Sequence, residues 1–210
     1  VKKSTNDNFG IGLKLNSADF QRGGFSEEDA EAVIKMLNEE NLDLLEISGG
    51  TYEAPAMSGK TPTSEDTSIK QSTIAREAYF LEFAKKAKKI TTMPIMVTGG
   101  FRSKSAMDQA LNDQALDFIG MGKPFACDPN VADNLISGKL EKIDIKKIKM
   151  SKPALESVSE MAWAKSQIHR ISNGKTPNPV LPPLLNLIGS QITQRRDAKK
   201  YKNWLKQSCA

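Results

Sequence analysis

Apolar residues in this chain arrive in two rhythms that alternate. Short continuous runs, Phe9 to Leu15, Leu42 to Ser48, Ile95 to Thr98 and Leu116 to Gly120, have strand length, and the second to fourth end at or beside glycine. Between them the spacing changes to three and four: Ala30, Val33, Ile34 and Leu37; then Phe80, Phe83, Ala84 and Ala87 opposite Lys85, Lys86, Lys88 and Lys89; then Ala106, Met107, Ala110 and Leu111. Each of these sets predicts an amphipathic helix with its apolar stripe turned inward. Ser26 ahead of Glu27, Glu28 and Asp29 has the form of an N-cap with acids in the first turn, and Ser103 can cap the third helix. After the fourth run, Asp128-Pro129 starts a short helix through Leu135-Ile136, closed by Gly138. The order is therefore β-α repeated four times. Continuous apolar strands joined through helices predict an α/β fold with a parallel sheet and helices outside it.

Two stretches depart from this rhythm. Thr51 to Thr73 is long, polar and rich in Ser, Thr and Pro, as expected of a loop covering a site; Tyr52 and Met57 lie in it. Gly12, inside the first run, predicts close backbone approach. The tail is purely helical in pattern. Leu155, Val158, Met161, Ala162, Lys165 and Ile168 share a helical spacing, Gly174 ends that helix, and Lys175-Thr176-Pro177-Asn178-Pro179 reads as an extended linker. Leu184, Leu185, Leu187 and Ile188 open a last helix that runs to Trp204-Leu205. We divide the chain into a βα region, residues 1–138, and a helical extension, residues 139–210.

Charge sharpens this division. Residues 1–138 carry 15 Lys and Arg against 20 Asp and Glu, whereas residues 139–210 carry 15 against 5. The tail's lysines are scattered among Ile, Leu and Trp, which fits solvated helical faces rather than a nucleic-acid or membrane surface. No apolar run approaches the roughly 20 residues of a membrane span, and no secretory signal pattern opens the sequence, so a cytoplasmic address is expected. Two cysteines, Cys127 and Cys209, make neither a disulfide framework nor a zinc pattern. With His169 the single histidine, no metal site is expected.

Candidate chemistry gathers at one edge. In a parallel α/β sheet, ligands sit at the C-terminal ends of the strands. Lys14, Ser48-Gly49-Gly50, Thr98-Gly99-Gly100 and Gly122-Lys123 all fall there. Glycines leave room for a ligand near the backbone and lysine supplies positive charge, so phosphate is the expected ligand. Each feature also has a plainer use. Gly99-Gly100 can be a tight turn, Lys14 a solvated lysine, and Glu46 the partner of a neighbouring cation.

Four stretches in order, Lys14-Leu15-Asn16-Ser17-Ala18-Asp19-Phe20-Gln21-Arg22-Gly23-Gly24-Phe25, Leu44-Leu45-Glu46-Ile47-Ser48-Gly49-Gly50, Val97-Thr98-Gly99-Gly100-Phe101-Arg102 and Gly120-Met121-Gly122-Lys123-Pro124, resemble the Old Yellow Enzyme family of NADH:flavin oxidoreductases. The Lys175 to Pro179 linker is similar to that of its NADH oxidase-like branch. The resemblance implies a (β/α)8 TIM-barrel type fold of which only the last four βα units and the C-terminal helices are present. It implies FMN as cofactor, NAD(P)H as reductant, and a small-molecule acceptor such as an activated alkene or a quinone. Carried over by position, Gly99 and Gly100 are backbone donors to the flavin phosphate, and Gly122 and Lys123 are a phosphate-binding pair. Lys14 is the cation at the flavin's N1/O2 edge. The family's proton donor belongs to the N-terminal half, so no catalytic residue is assigned. The missing N-terminal half of the barrel, or a homo-oligomer partner, would close the sheet, and the chain alone is expected to be inactive. A phosphate-binding barrel of another enzyme class and an interaction module are the alternatives.

Overall fold

Four strands, β1 (Gly12–Asn16), β2 (Leu44–Ser48), β3 (Ile95–Thr98) and β4 (Phe118–Gly120), pair in sequence order into one parallel sheet. This computed structural model describes residues 1, 4–6, 8–19, 23–48, 81–145, 148 and 153–208. Phe20 to Arg22, Gly49-Gly50, the Thr51 to Thr73 loop with Tyr52 and Met57, Phe80 and Cys209 lie outside the described residues. The chain forms two units: Val1–Gly122 with Leu135–Ile143, and Lys123–Asn134 with Asp144–Ala210.

The sheet's register explains its two unlike faces. Leu13 lies opposite Leu45 and Leu45 opposite Ile95, while Lys14, Glu46, Met96 and Phe118 form the alternate row. Leu45, Ile47, Ile95 and Val97 are fully buried. The helices α1 (Glu27–Leu37), α2 (Leu81–Ala87) and α3 (Lys104–Asn112) bury Ala30, Ile34, Phe83, Ala84, Ala87, Ala106, Met107 and Ala110 within the same unit. Leu111, expected to turn inward, is exposed. On the alternate face Phe118 stands 53% exposed. Four consecutive parallel strands with helices following them are the build of a partial (β/α)8 barrel, in which this face would line the interior.

β1 and β4 are the sheet edges, each with a single partner strand. Neither contains a buried residue, so the expectation of a mostly buried first strand is corrected. Pairing starts at Gly12, and a Cβ there would meet Leu44 Cβ at 3.5 Å, an ordinary contact rather than a close approach. The opposite, N-terminal end of the sheet is fixed by a device used twice. The Ile11 amide donates to Asp43 Oδ2 at 2.7 Å while the Asp43 amide donates to Ile11 O at 2.8 Å. The Ile95 amide likewise donates to Asp117 Oδ2 at 2.7 Å, and the Asp117 amide to Ile95 O at 2.8 Å. Each aspartate staples its own strand to the preceding one.

Ser26 caps α1 reciprocally: its hydroxyl accepts from the Asp29 amide at 3.2 Å and Asp29 Oδ2 accepts from the Ser26 amide at 2.9 Å. Ser103 occupies the N-cap of α3 without the expected side-chain cap bond; its segment instead pairs with Glu141 to Ile143.

The single short helix expected after β4 is two, α4 (Lys123–Cys127) and α5 (Val131–Ile136). Pro124 suits the first turn of α4, where its missing amide costs nothing. Asp128 ends it and starts α5, accepting from the Asn130 amide and Asn134 Nδ2 at 2.9 Å each.

In the second unit α4 and α7 (Pro183–Ser208) pack against α6 (Pro153–Ser172). Of the stripe read from spacing on α6, Ala162 is buried and most of the rest is not. Leu155, Val158, Met161 and Ile168 are exposed, and Ser159, Ala162, Trp163 and Gln167 are buried. The linker backbone bonds to this side of the helix. Trp163 Nε1 donates to Pro179 O at 3.3 Å, Gln167 Oε1 accepts from the Asn178 amide at 2.6 Å, and Arg170 Nε donates to Thr176 O at 3.0 Å. These residues sit four and three apart, so one helical face carries the linker backbone. No helix among the described residues is long and apolar enough to cross a membrane.

Candidate functional site

At the C-terminal end of the sheet, the last paired residues are Asn16 opposite Ser48 and Thr98 opposite Gly120. The loop leaving β1 is held by Asp19, whose carboxylate accepts from Asn16 Nδ2 at 2.5 Å and from the Phe25 amide at 3.0 Å. Ser48 closes the adjacent strand end: its hydroxyl donates to Leu15 O at 3.3 Å and its carbonyl accepts from the Ser17 amide at 2.6 Å. Ser48 is therefore engaged in the scaffold.

The turn after β3 has the most specific geometry. Gly99 and Gly100 take φ of 111° and 85°, a region side-chain-bearing residues avoid, so glycine is demanded twice in succession. The Gly99 amide donates to Gly120 O at 3.3 Å, extending the β3–β4 pairing past the strand. Phe101, the next residue, is almost fully buried. Beside it, Thr98 Oγ1 is buried and has no hydrogen-bond partner. A buried hydroxyl left unpaired costs about 1–3 kcal/mol, so Thr98 Oγ1 has a hydrogen bond still to make. A Cβ on Gly120 would lie 1.9 Å from that Oγ1. Thr98 fills the space where the Gly120 side chain would be.

Sequence spacing placed Thr98 at this strand end but gave its side chain no role. The signal was available: a threonine at a strand's last position beside two glycines, facing a glycine on the next strand.

Lys14 stands one row below on the exposed face. Its Nζ pairs with Glu46 Oε1 at 2.7 Å, with the lysine side chain 53% and the glutamate 21% exposed. The residues lie directly opposite each other on β1 and β2, so the pair is built by register. Glu46 is thus the partner of a neighbouring cation, the plainer of its two expected uses.

Gly122 needs to be glycine for neither of the usual reasons: a Cβ would meet nothing within 4 Å, and its φ is ordinary. Lys123, in the second unit, pairs through Nζ with Glu160 Oε2 at 2.6 Å. His169 lies on α6, its carbonyl accepting from Asn173 Nδ2 at 2.7 Å, and Cys127 is half-buried at the end of α4. Among the described residues no cluster of His, Cys, Asp and Glu could hold a metal ion.

A flavin with a phosphate tail needs a backbone cradle, polar donors and a positive charge near its pyrimidine edge. Gly99-Gly100, Thr98 Oγ1 and Lys14 all belong to the sheet unit and are of the types such a group would need.

No family model matches the chain. It is similar to the NADH-dependent flavin oxidoreductase nadA of Aspergillus parasiticus, with 32% identity over 142 residues that cover 67% of this chain and 30% of that protein. It is similar also to the NADH oxidase of Thermoanaerobacter brockii, 22% identical over 68% of this chain and 20% of that one. Among solved structures, a 2-naphthoyl-CoA reductase in complex with 2-naphthoyl-CoA superposes with a TM-score of 0.53 at 23% identity, over 65% of this chain and 19% of that one. That likeness speaks for the fold. The chain spans under a third of the length of these curated relatives.

Proposed function

We propose, on the premise that this chain belongs with the flavin-dependent NADH oxidoreductases of the Old Yellow Enzyme type, that it is the FMN-binding portion of such an enzyme. The observation that carries the reading is the Thr98 to Gly100 turn: a buried, unpartnered hydroxyl beside two glycines in left-handed backbone, at the C-terminal end of a parallel sheet. Flavin, when bound, supplies the redox chemistry, passing a hydride from NAD(P)H to an acceptor such as an activated alkene or a quinone.

The chain's own residues bind and orient. The Gly99-Gly100 turn brings backbone close to the phosphate, and Gly122 leaves it room. Lys123, next in sequence, is the cation the motif assigns there. A lysine offers a point charge without the planar fork of arginine, so backbone donors carry more of the phosphate recognition. Lys14 holds positive charge toward the flavin's N1/O2 edge. The exposed face of the sheet, with Phe118 at its open edge, is completed by the N-terminal half of a barrel or by another copy of the chain, and that half brings the proton donor.

Fluorescence titration of the purified chain with FMN, FAD and riboflavin tests this. FMN should bind, riboflavin should bind less tightly for want of the phosphate, and the double change Lys14→Glu with Lys123→Glu should abolish binding. A chain that takes up none of the three flavins refutes the proposal. NADH oxidation by the chain with FMN should not exceed that of free FMN; steady turnover would show that it needs no completing half.

A further inference from the structure

We infer that Glu46 is a positioning residue that sets the reduction potential of the bound flavin by neutralising Lys14. The inference rests on the proposed FMN site and adds a role the sequence did not assign. Lys14 and Glu46 face each other across adjacent strands, with Nζ and Oε1 2.7 Å apart. Glu46 is the less exposed of the two, and nothing else on its strand face carries charge: Leu44 and Ser48 are its neighbours two positions away. Among the described residues Lys14 is the cation paired with this carboxylate.

Hydride from NADH delivers two electrons and one proton and leaves NAD+. Reduction thus adds one unit of negative charge to the flavin, at the N1/O2 edge where Lys14 is assigned. An uncompensated ammonium there stabilises the reduced form over the oxidised one, which raises the potential. A carboxylate in contact with that ammonium cancels much of its field at the flavin and holds the potential down. Gln in place of Glu46 retains an oxygen that accepts from Lys14, so the lysine stays in place while the counter-charge goes.

The experiment is the midpoint potential of the FMN-loaded chain, wild type beside Glu46→Gln, Glu46→Asp, Lys14→Gln and the Lys14→Gln/Glu46→Gln double variant. FMN dissociation constants of the oxidised forms are measured in parallel. Glu46→Gln should favour the reduced flavin at least tenfold, a rise of about 30 mV for a two-electron couple. Lys14→Gln should lower the potential by as much or more, Glu46→Asp should stay near wild type, and the double variant should fall between the two single glutamine variants. A purely structural ion pair would change stability and leave these potentials alone. If Lys14→Gln lowers the potential but Glu46→Gln leaves it unchanged or lowers it, the inference is wrong and the FMN site stands. If the chain binds no FMN, or Lys14→Gln leaves the potential unmoved, the site assignment itself fails and takes the inference with it.

Discussion

The two units of this chain bury different mixtures of side chain. In the sheet unit the fully buried residues include Ile34, Leu45, Ile47, Ile95, Val97, Phe101 and Leu116. In the helical unit Ser159 and Gln167 are fully buried and Ala126, Val131, Ala162 and Trp163 nearly so, and Ser159 Oγ and Gln167 Nε2 have no hydrogen-bond partner. Meanwhile Leu155, Val158, Met161 and Ile168 of α6 and Leu184, Leu185, Ile188 and Ile192 of α7 are exposed. The sheet unit is organised by removing apolar area from water, which is non-directional and leaves a periodic trace in sequence. One face of α6 in the helical unit is matched to a proline-containing linker by directional bonds, which leave no periodic trace.

Truncation at matched positions should separate the two regimes most widely. Ile47→Ala, in the sheet core, should cost about 3 kcal/mol, from lost transfer energy and the cavity left behind. Met161→Ala, on the exposed stripe of α6, should cost less than about 0.5 kcal/mol. Urea unfolding of both variants gives the values. Equal costs would mean that the α6 stripe is covered in solution and that the contrast between the units is false. The same physics explains what spacing could tell. The four strands and the three sheet-unit helices were legible because burial in β2, β3 and the helices follows the 2.0 and 3.6 residue periods, with Leu111 and the edge strands β1 and β4 the exceptions. The buried face of α6 was legible only at Ala162, because Trp163 and Gln167 meet a linker carbonyl and amide whose positions leave no period in the sequence.

Glycines give the next contrast, within the site. Gly120→Ala sets a Cβ 1.9 Å from Thr98 Oγ1 and should destabilise by about 1–3 kcal/mol. Gly122→Ala meets nothing within 4 Å at an ordinary φ, and should leave stability unchanged or raise it by about 0.5 kcal/mol. Yet Gly122→Ala should weaken FMN binding if Gly122 leaves room for the phosphate, a loss read by fluorescence titration. Loss of stability at Gly122 with FMN binding intact would reverse the two roles. Here the sequence pointed to the right stretch, since Gly120 and Gly122 stand two apart after a strand. It could not say that one glycine faces Thr98 and the other open space, because that depends on the β3–β4 register.

A smaller effect tests the staple at the opposite end of the sheet. Burial works against ionisation of Asp117, but the Ile95 amide and the Lys88 ammonium, 2.5 Å away, outweigh it and hold the carboxyl below its ordinary value of 3.8. A depressed folded pKa means that the ionised carboxylate stabilises the fold. That contribution is complete above the unfolded value near 3.8 and is lost as pH falls through the lower folded value. Asp117→Asn should therefore cost at most about 1 kcal/mol at neutral pH, the group being more than a third exposed. The variant should also lose part of the wild type's destabilisation below pH 4. Parallel urea midpoints between pH 2 and 7 decide it: curves that stay parallel through the acid range would remove Asp117 from the account.

The smallest expected effect concerns the two lysine–glutamate pairs, one in each unit. Lys14–Glu46 is fixed by the register of adjacent strands, so its geometry persists whatever binds. Lys123–Glu160 joins the first residue of α4 to α6 at 2.6 Å, with the lysine 35% and the glutamate 24% exposed. If Lys123 serves a phosphate, that anion competes with Glu160 for the same ammonium. Glu160→Gln should then tighten FMN two- to fivefold, equivalent to about 0.4–1 kcal/mol, the scale of a partly exposed ion pair. Riboflavin, which has no phosphate, should bind both forms alike. The gain should shrink as salt rises, because screening weakens the carboxylate and the phosphate together. Equal tightening of riboflavin would place the effect of Glu160 on the fold of the helical unit, and a weakening of FMN would mean that Glu160 holds Lys123 in its binding pose instead of competing for it.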